Sequence, residues 1–136
     1  MDQALGQTVR DAAAHVYTQL GSGLTETCYQ KALAIALQKR GCAVDMEVVV
    51  PIRYDGFFVG SARPDLVVNK QLVLELKATT RISEANIMQA RAYMRWLPPP
   101  HPRTLTETVQ RGAVINFGPT HLEIVPVELP CPFAED

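Results

Sequence analysis

Gln71-Leu72-Val73-Leu74-Glu75-Leu76-Lys77-Ala78 reads as a strand with two unlike faces. Leu72, Leu74, Leu76 and Ala78 alternate with Val73, Glu75 and Lys77, so one face is aliphatic and the other carries a carboxylate and an ammonium. Covering such a charged face is costly unless the charges pair with each other, with a metal or with a substrate. Upstream stand Pro64-Asp65 and a second apolar run, Leu66-Val67-Val68.

The turn between the two runs decides how these charges meet. A two-residue loop, Asn69-Lys70, would set Asp65 against Leu74 and leave Glu75 on the other side of the sheet. A three-residue loop, Asn69-Lys70-Gln71, pairs Val68 with Leu72 and sets Asp65 directly opposite Glu75. Opposed Cβ atoms lie about 4.5–5.5 Å apart, close enough to share one cation. A shared metal therefore predicts the three-residue loop or an equivalent bulge. The competing reading is a surface salt bridge between Lys77 and Glu75 or Asp65.

Two carboxylates and a lysine so arranged suit phosphodiester hydrolysis, which needs a hydroxide near neutral pH and relief of charge on the phosphorus centre. A divalent cation supplies both. Mg²⁺ takes hard oxygen ligands, commonly one or two carboxylates plus substrate phosphate. Asp65 and Glu75 fit as those carboxylates, and Lys77 would stabilise charge or orient the attacking water.

Working outward, Ala4–Leu20 and Thr25–Arg40 have helical spacing and are closed by Gly21 and Gly41. Ala43–Tyr54 has the β-branched content of a strand, and Asp55-Gly56 signals a hairpin. Phe57–Ala62 and Asp65–Val68 continue as strand with a bend at Arg63-Pro64. A third helix opens at Ser83 or Glu84 and runs to about Leu97, where Pro98-Pro99-Pro100 stops it. His101–Gln110 reads as a polar surface loop. Gly112–Phe117 and His121–Leu129 read as a last pair of strands. The predicted order is α-α-β-β-β-α-β-β: one α/β domain over residues 1–129, its sheet covered by helices, with a loose tail at 130–136.

Composition bounds the function. A chain of 136 residues holds one core, and no apolar run approaches the roughly 20 residues of a membrane helix. The N-terminus lacks a signal-peptide pattern. Cys28, Cys42 and Cys131 are too scattered for a disulfide framework or zinc site, so a cytoplasmic protein with reduced thiols is expected. Cys28 is expected as a small core residue. The net charge of −1 argues against tight sequence-independent nucleic-acid binding, yet acidic metal ligands contribute to that sum.

Both flanking helices carry polar residues on apolar faces. Glu26 shares a face with Tyr29 and Leu33; it points toward a site or simply answers the helix dipole. Gln89, Tyr93 and Trp96 line one face with Ala85 and Asn86. Gln89 is either a satisfied core amide or a group that orients water or phosphate. Arg91 and Arg95 lie elsewhere, on a solvated face.

Together these motifs resemble a known family. Gly23-Leu24-Thr25-Glu26-Thr27-Cys28-Tyr29 is similar to the signature of the GxxExxY proteins, a branch of the PD-(D/E)XK nuclease superfamily. The resemblance continues through Arg63-Pro64-Asp65-Leu66, Glu75-Leu76-Lys77-Ala78, Gln89-Ala90-Arg91-Ala92-Tyr93 and Ile115-Asn116-Phe117-Gly118. It implies a restriction-endonuclease-like core, a central mixed sheet flanked by helices. It also implies a nuclease using Mg²⁺, with Mn²⁺ as a substitute, on DNA or RNA. Recombination-type exonucleases of the superfamily add a helix Glu and a Gln-x-x-x-Tyr. By that resemblance Glu26 would join Asp65 and Glu75 at the metal, and Gln89 and Tyr93 would position phosphate beside Lys77. Two departures stand out: Asn86 where the family often has His, and the proline-rich Leu97–Gln110 before the last strands. The alternative is a non-catalytic module that keeps the fold to bind nucleic acid or a partner protein; a homodimer also suits a chain of this size.

Overall fold

The computed structural model describes residues 3–97 and 111–129. The predicted loop at 101–110 and the tail at 130–136 lie outside them. Helices α1 (Gln3–Leu20) and α2 (Glu26–Gln38) come first. Five strands follow: β1 (Val44–Met46), β2 (Val50–Tyr54), β3 (Phe57–Ala62), β4 (Leu66–Val68) and β5 (Leu72–Lys77). Helix α3 (Glu84–Trp96) then precedes β6 (Arg111–Phe117) and β7 (Leu122–Glu128).

Five strands, not three, thus precede α3. The expected strand 43–54 breaks at Glu47, whose left-handed φ of 54° turns the chain out of the sheet. The expected continuation across Arg63-Pro64 breaks as well, since Pro64 has no amide to donate to a ladder. Two sheets result. The main one has the order β1-β4-β5-β6-β7, parallel only between β5 and β6, where α3 makes the crossover. The other is the β2–β3 hairpin alone. Its turn is the predicted Asp55-Gly56, with φ of 51° and 82°, the left-handed pair that a tight hairpin of this twist requires.

Strand alternation sorts the core into two layers. Leu72, Leu74 and Leu76 of β5, with Leu66, Ile115 and Phe117, bury against α1 and α2. Val73 of β5, with Val67, Val114 and Val127, buries against Ala90 and Met94 of α3. The aliphatic face of β5 therefore meets two helices, and its charged face lies on the side of one. Gly112 lets α3 come that near: a Cβ there would stand 2.7 Å from the Val73 carbonyl and 2.9 Å from Met94 Sδ. The hairpin closes this second layer by tucking Val50 and Ala62 beside Val73 and Met94.

Candidate active site

The β4–β5 turn has the register that a shared cation requires. Val68 pairs with Leu72, and Leu66 with Leu74. Asn69 and Lys70 both take left-handed backbone, and the Gln71 amide donates to the Val68 carbonyl at 3.0 Å. Gln71 is left over as the third loop residue. Asn69 can hold this conformation because its side chain accepts from the Ala43 amide at 2.8 Å while its own amide donates to the Ala43 carbonyl.

One step beyond β4, Asp65 faces Glu75. The Asp65 amide donates to Glu75 Oε2 at 3.1 Å, and the Leu76 amide donates to Asp65 Oδ2 at 2.7 Å. The Asp65 carboxylate thus replaces the ladder partner that Leu76 would have if β4 were longer. The backbone of Asp65 is pinned too: its carbonyl accepts from Gln30 Nε2 at 3.0 Å and from the Glu47 amide at 3.3 Å. Asp65 Oδ1 and Glu75 Oε1 receive no donor among the described residues.

Electrostatics at the pair are unfavourable without a cation. Glu75 is 2 % exposed. Burial, then the Asp65 charge, lifts its carboxyl to about 8. Burial is also the main cause that raises Asp65, opposed by the Leu76 amide and Lys77. Glu26 adds negative charge to both carboxyls, and Glu47 adds it to Asp65. Lys77 is the cation that opposes them, and it makes no ion pair; the ion pairs among the described residues are Lys70–Asp45 and Arg111–Glu128. A buried, like-charged pair with two undonated oxygens fits a divalent cation: the charge offsets the repulsion and the oxygens become ligands.

Lys77 leads on to α3. Its Nζ donates to Gln89 Oε1 at 3.4 Å, and Gln89 Nε2 donates to Tyr93 Oη at 3.1 Å. Burial and the Glu75 charge raise the Tyr93 hydroxyl, while hydrogen bonding from Gln89 and the Arg63 backbone lowers it. Helix α3 is anchored at its first turn, where Ser83 and Asn86 form a capping box. Asn86 is thereby used for capping.

Asp65 and Glu75 form a bonded pair, and Lys77, Gln89 and Tyr93 form a second chain of hydrogen bonds that acts on the pair through charge. Glu26 stands apart from it, exposed on the first turn of α2, near enough to act through its charge. No group of three or more His, Cys, Asp or Glu among the described residues is gathered tightly enough to hold a metal, so Glu26 does not form a ready three-carboxylate cage with the pair. Tyr29 is elsewhere: its ring stacks on Phe117 at 4.4 Å, and its hydroxyl donates to the Gly21 carbonyl and accepts from the Leu24 amide. That residue shapes the entry to α2. Cys28, expected in the core, is exposed. Sequence reasoning missed Gln30 and Glu47. Gln30 carried a signal, since it lies four residues after Glu26 and turns one polar group inward among Tyr29, Leu33 and Ala34.

A family model for the PD-(D/E)XK nuclease superfamily matches residues 3–126. The chain belongs to that superfamily. Pro64-Asp65 and Glu75-Leu76-Lys77 of this PD-(D/E)XK protein are the segments that carry the opposed carboxylates and the lysine. The fold is also similar to that in the crystal structure of SSO0001, with a TM-score of 0.52 at 15% identity. That match covers 78% of this chain and 51% of the other, so the chain spans about half the length of that relative. No curated protein is significantly similar to it. Among the described residues no helix is long and apolar enough to cross a membrane.

Proposed function

We propose that this PD-(D/E)XK protein is a metal-dependent nuclease of the GxxExxY kind, cutting DNA or RNA with Mg²⁺, or Mn²⁺ in its place. The observation that carries the reading is the buried Asp65–Glu75 pair, opposed in register, raised in pKa and holding two oxygens without donors. Asp65 and Glu75 would hold the metal, with Glu26 acting on it through charge or an intervening water. Bound there, the ion supplies Lewis acidity toward the phosphate and a water acidic enough to attack near neutral pH.

The chain's own groups do the rest. Gln30 and the Glu47 amide fix the Asp65 backbone, and so fix where its carboxylate points. Lys77 places its charge where negative charge builds on the phosphate oxygens. Gln89 accepts from the Lys77 ammonium with its amide oxygen and donates to the Tyr93 hydroxyl with its amide nitrogen, so the ammonium is held in place as charge develops. Tyr93, kept neutral by burial and the nearby carboxylates, offers a hydroxyl proton to a phosphate oxygen.

The test is cleavage of single- and double-stranded DNA and RNA with Mg²⁺, Mn²⁺ or chelator. Cutting that needs metal and falls at least about a hundredfold in Asp65→Ala and Glu75→Ala is expected, since the ion contributes several kcal/mol to the transition state. Cutting that survives both substitutions contradicts the site. Binding without cutting under every metal would instead mark a non-catalytic module.

A further inference from the structure

The β2–β3 hairpin exposes aromatic surface that no part of the described fold uses. Tyr54, Phe57 and Phe58 are 70%, 73% and 63% exposed, and Val59 is 60% exposed. A two-stranded ribbon with its largest apolar groups in water at its tip is marginal by itself. Among the described residues it is held toward its base, where Val50 and Ala62, with the half-buried Ile52, pack into the layer beneath α3. A bulge at Ile52/Arg53 leaves Val59 unpaired and sets Arg53 directly opposite Phe58, so both project from one face. Arg53 has no acidic partner among the described residues.

We propose that this hairpin is a finger on which unpaired nucleobases stack, selecting single-stranded nucleic acid or duplexes with unpaired ends. The proposal rests on the nuclease reading of the neighbouring site. Three observations favour a nucleic-acid occupant. The finger runs straight into the site: β3 ends at Ala62, Arg63 follows with its backbone bonded to the Tyr93 hydroxyl, and Asp65 comes two residues later. Phe58 is therefore within about 23 Å of Asp65 along the chain. The outer face pairs a flat ring with an unopposed guanidinium, which suits a base beside its phosphate. The apolar tip also offers only on the order of 500 Å², short of the roughly 800 Å² per partner of a stable protein interface.

The experiment measures binding of a 2-aminopurine-labelled single strand and of a blunt duplex to Asp65→Ala protein, with and without Phe57→Ala/Phe58→Ala. The two rings are exposed, so their removal leaves the melting temperature unchanged. Single-strand affinity is expected to drop roughly fivefold or more per lost stack, with loss of 2-aminopurine quenching. Duplex affinity should change less than twofold, and Phe58→Trp should restore quenching. Equal losses on both substrates, or no loss on either, overturn the finger. So does a dimer in analytical ultracentrifugation that the double substitution converts to monomer, because the tip is then an interface between copies. If Phe57→Ala/Phe58→Ala weakens single-strand binding while the wild type cuts nothing with metal, the finger stands and the nuclease reading fails. If the wild type cuts through Asp65 but the tip substitutions are silent, the reverse holds.

Discussion

Two buried polar residues sit on adjacent parallel strands and have opposite fates. Asn116 of β6 is fully buried, and its amide is fully used. Oδ1 accepts from the Thr79 amide at 2.9 Å, while Nδ2 donates to the Thr79 carbonyl at 2.9 Å and to Glu123 Oε1 at 3.0 Å. Glu123 in turn accepts from the Ile82 amide at 3.2 Å. That network ties β6 and β7 to the segment between β5 and α3. Glu75 of β5 is nearly as buried, yet it faces a second carboxylate and keeps an oxygen without a donor. Burial by itself does not mark a site. A polar group that is buried and satisfied holds the fold together, whereas the one that is buried, like-charged and unsatisfied is the group proposed to take a cation.

Exchanging each residue for a near relative breaks the comparison most directly. Asn116→Ala strands both backbone groups of Thr79 and takes one of two donors from Glu123 Oε1, and should cost about 2–4 kcal/mol in urea unfolding. Glu75→Gln keeps an acceptor for the Asp65 amide and removes the repelled charge, so at pH 8 it should unfold at the same or higher urea while abolishing metal-dependent cutting. A large stability loss in Glu75→Gln would place both residues in the structural class.

A smaller effect sharpens the same contrast through pH. The Glu75 carboxyl is raised from 4.5 to about 8, so between those values the folded chain holds a proton that the unfolded chain has released. Stability without metal is then full below about pH 4.5 and declines as pH rises to about 8. Adding Mg²⁺ at pH 8 should recover it, with little gain at pH 5 where protons compete for the oxygens. Glu75→Gln should flatten the curve; a decline that persists in that variant would have another source.

Much of this was legible in the sequence, for physical reasons. The alternation of Leu72–Ala78 showed which side of β5 is charged, because period-two alternation decides it, whereas Asn69-Lys70 announced a turn and left two registers open until the pairing of Val68 with Leu72 chose between them. Gln89 and Tyr93 were legible at helical spacing. What failed depended on neighbours that sequence does not display. The break at Glu47 needs a left-handed residue with no Gly or Asn to announce it. Glu26 has the same spacing to Tyr29 and Leu33 whether its carboxylate turns inward with them or, as here, stays exposed while they are buried. The exposure of Phe57 and Phe58 is invisible in a strand pattern, since β-propensity does not say whether a second layer lies above the tip. Asn116 reads as a strand end until Thr79 and Glu123 are seen around it.

The central claim is that Asp65 and Glu75 together form a cation site, and equilibrium Mn²⁺ binding followed by electron paramagnetic resonance at pH 8 tests it most directly. One saturable Mn²⁺ per chain, weakened at least about tenfold by either Asp65→Asn or Glu75→Gln and unaffected by Phe57→Ala/Phe58→Ala, is the predicted result. Binding that both carboxylate substitutions leave unchanged, or no binding to the wild-type chain with or without an oligonucleotide, would contradict it.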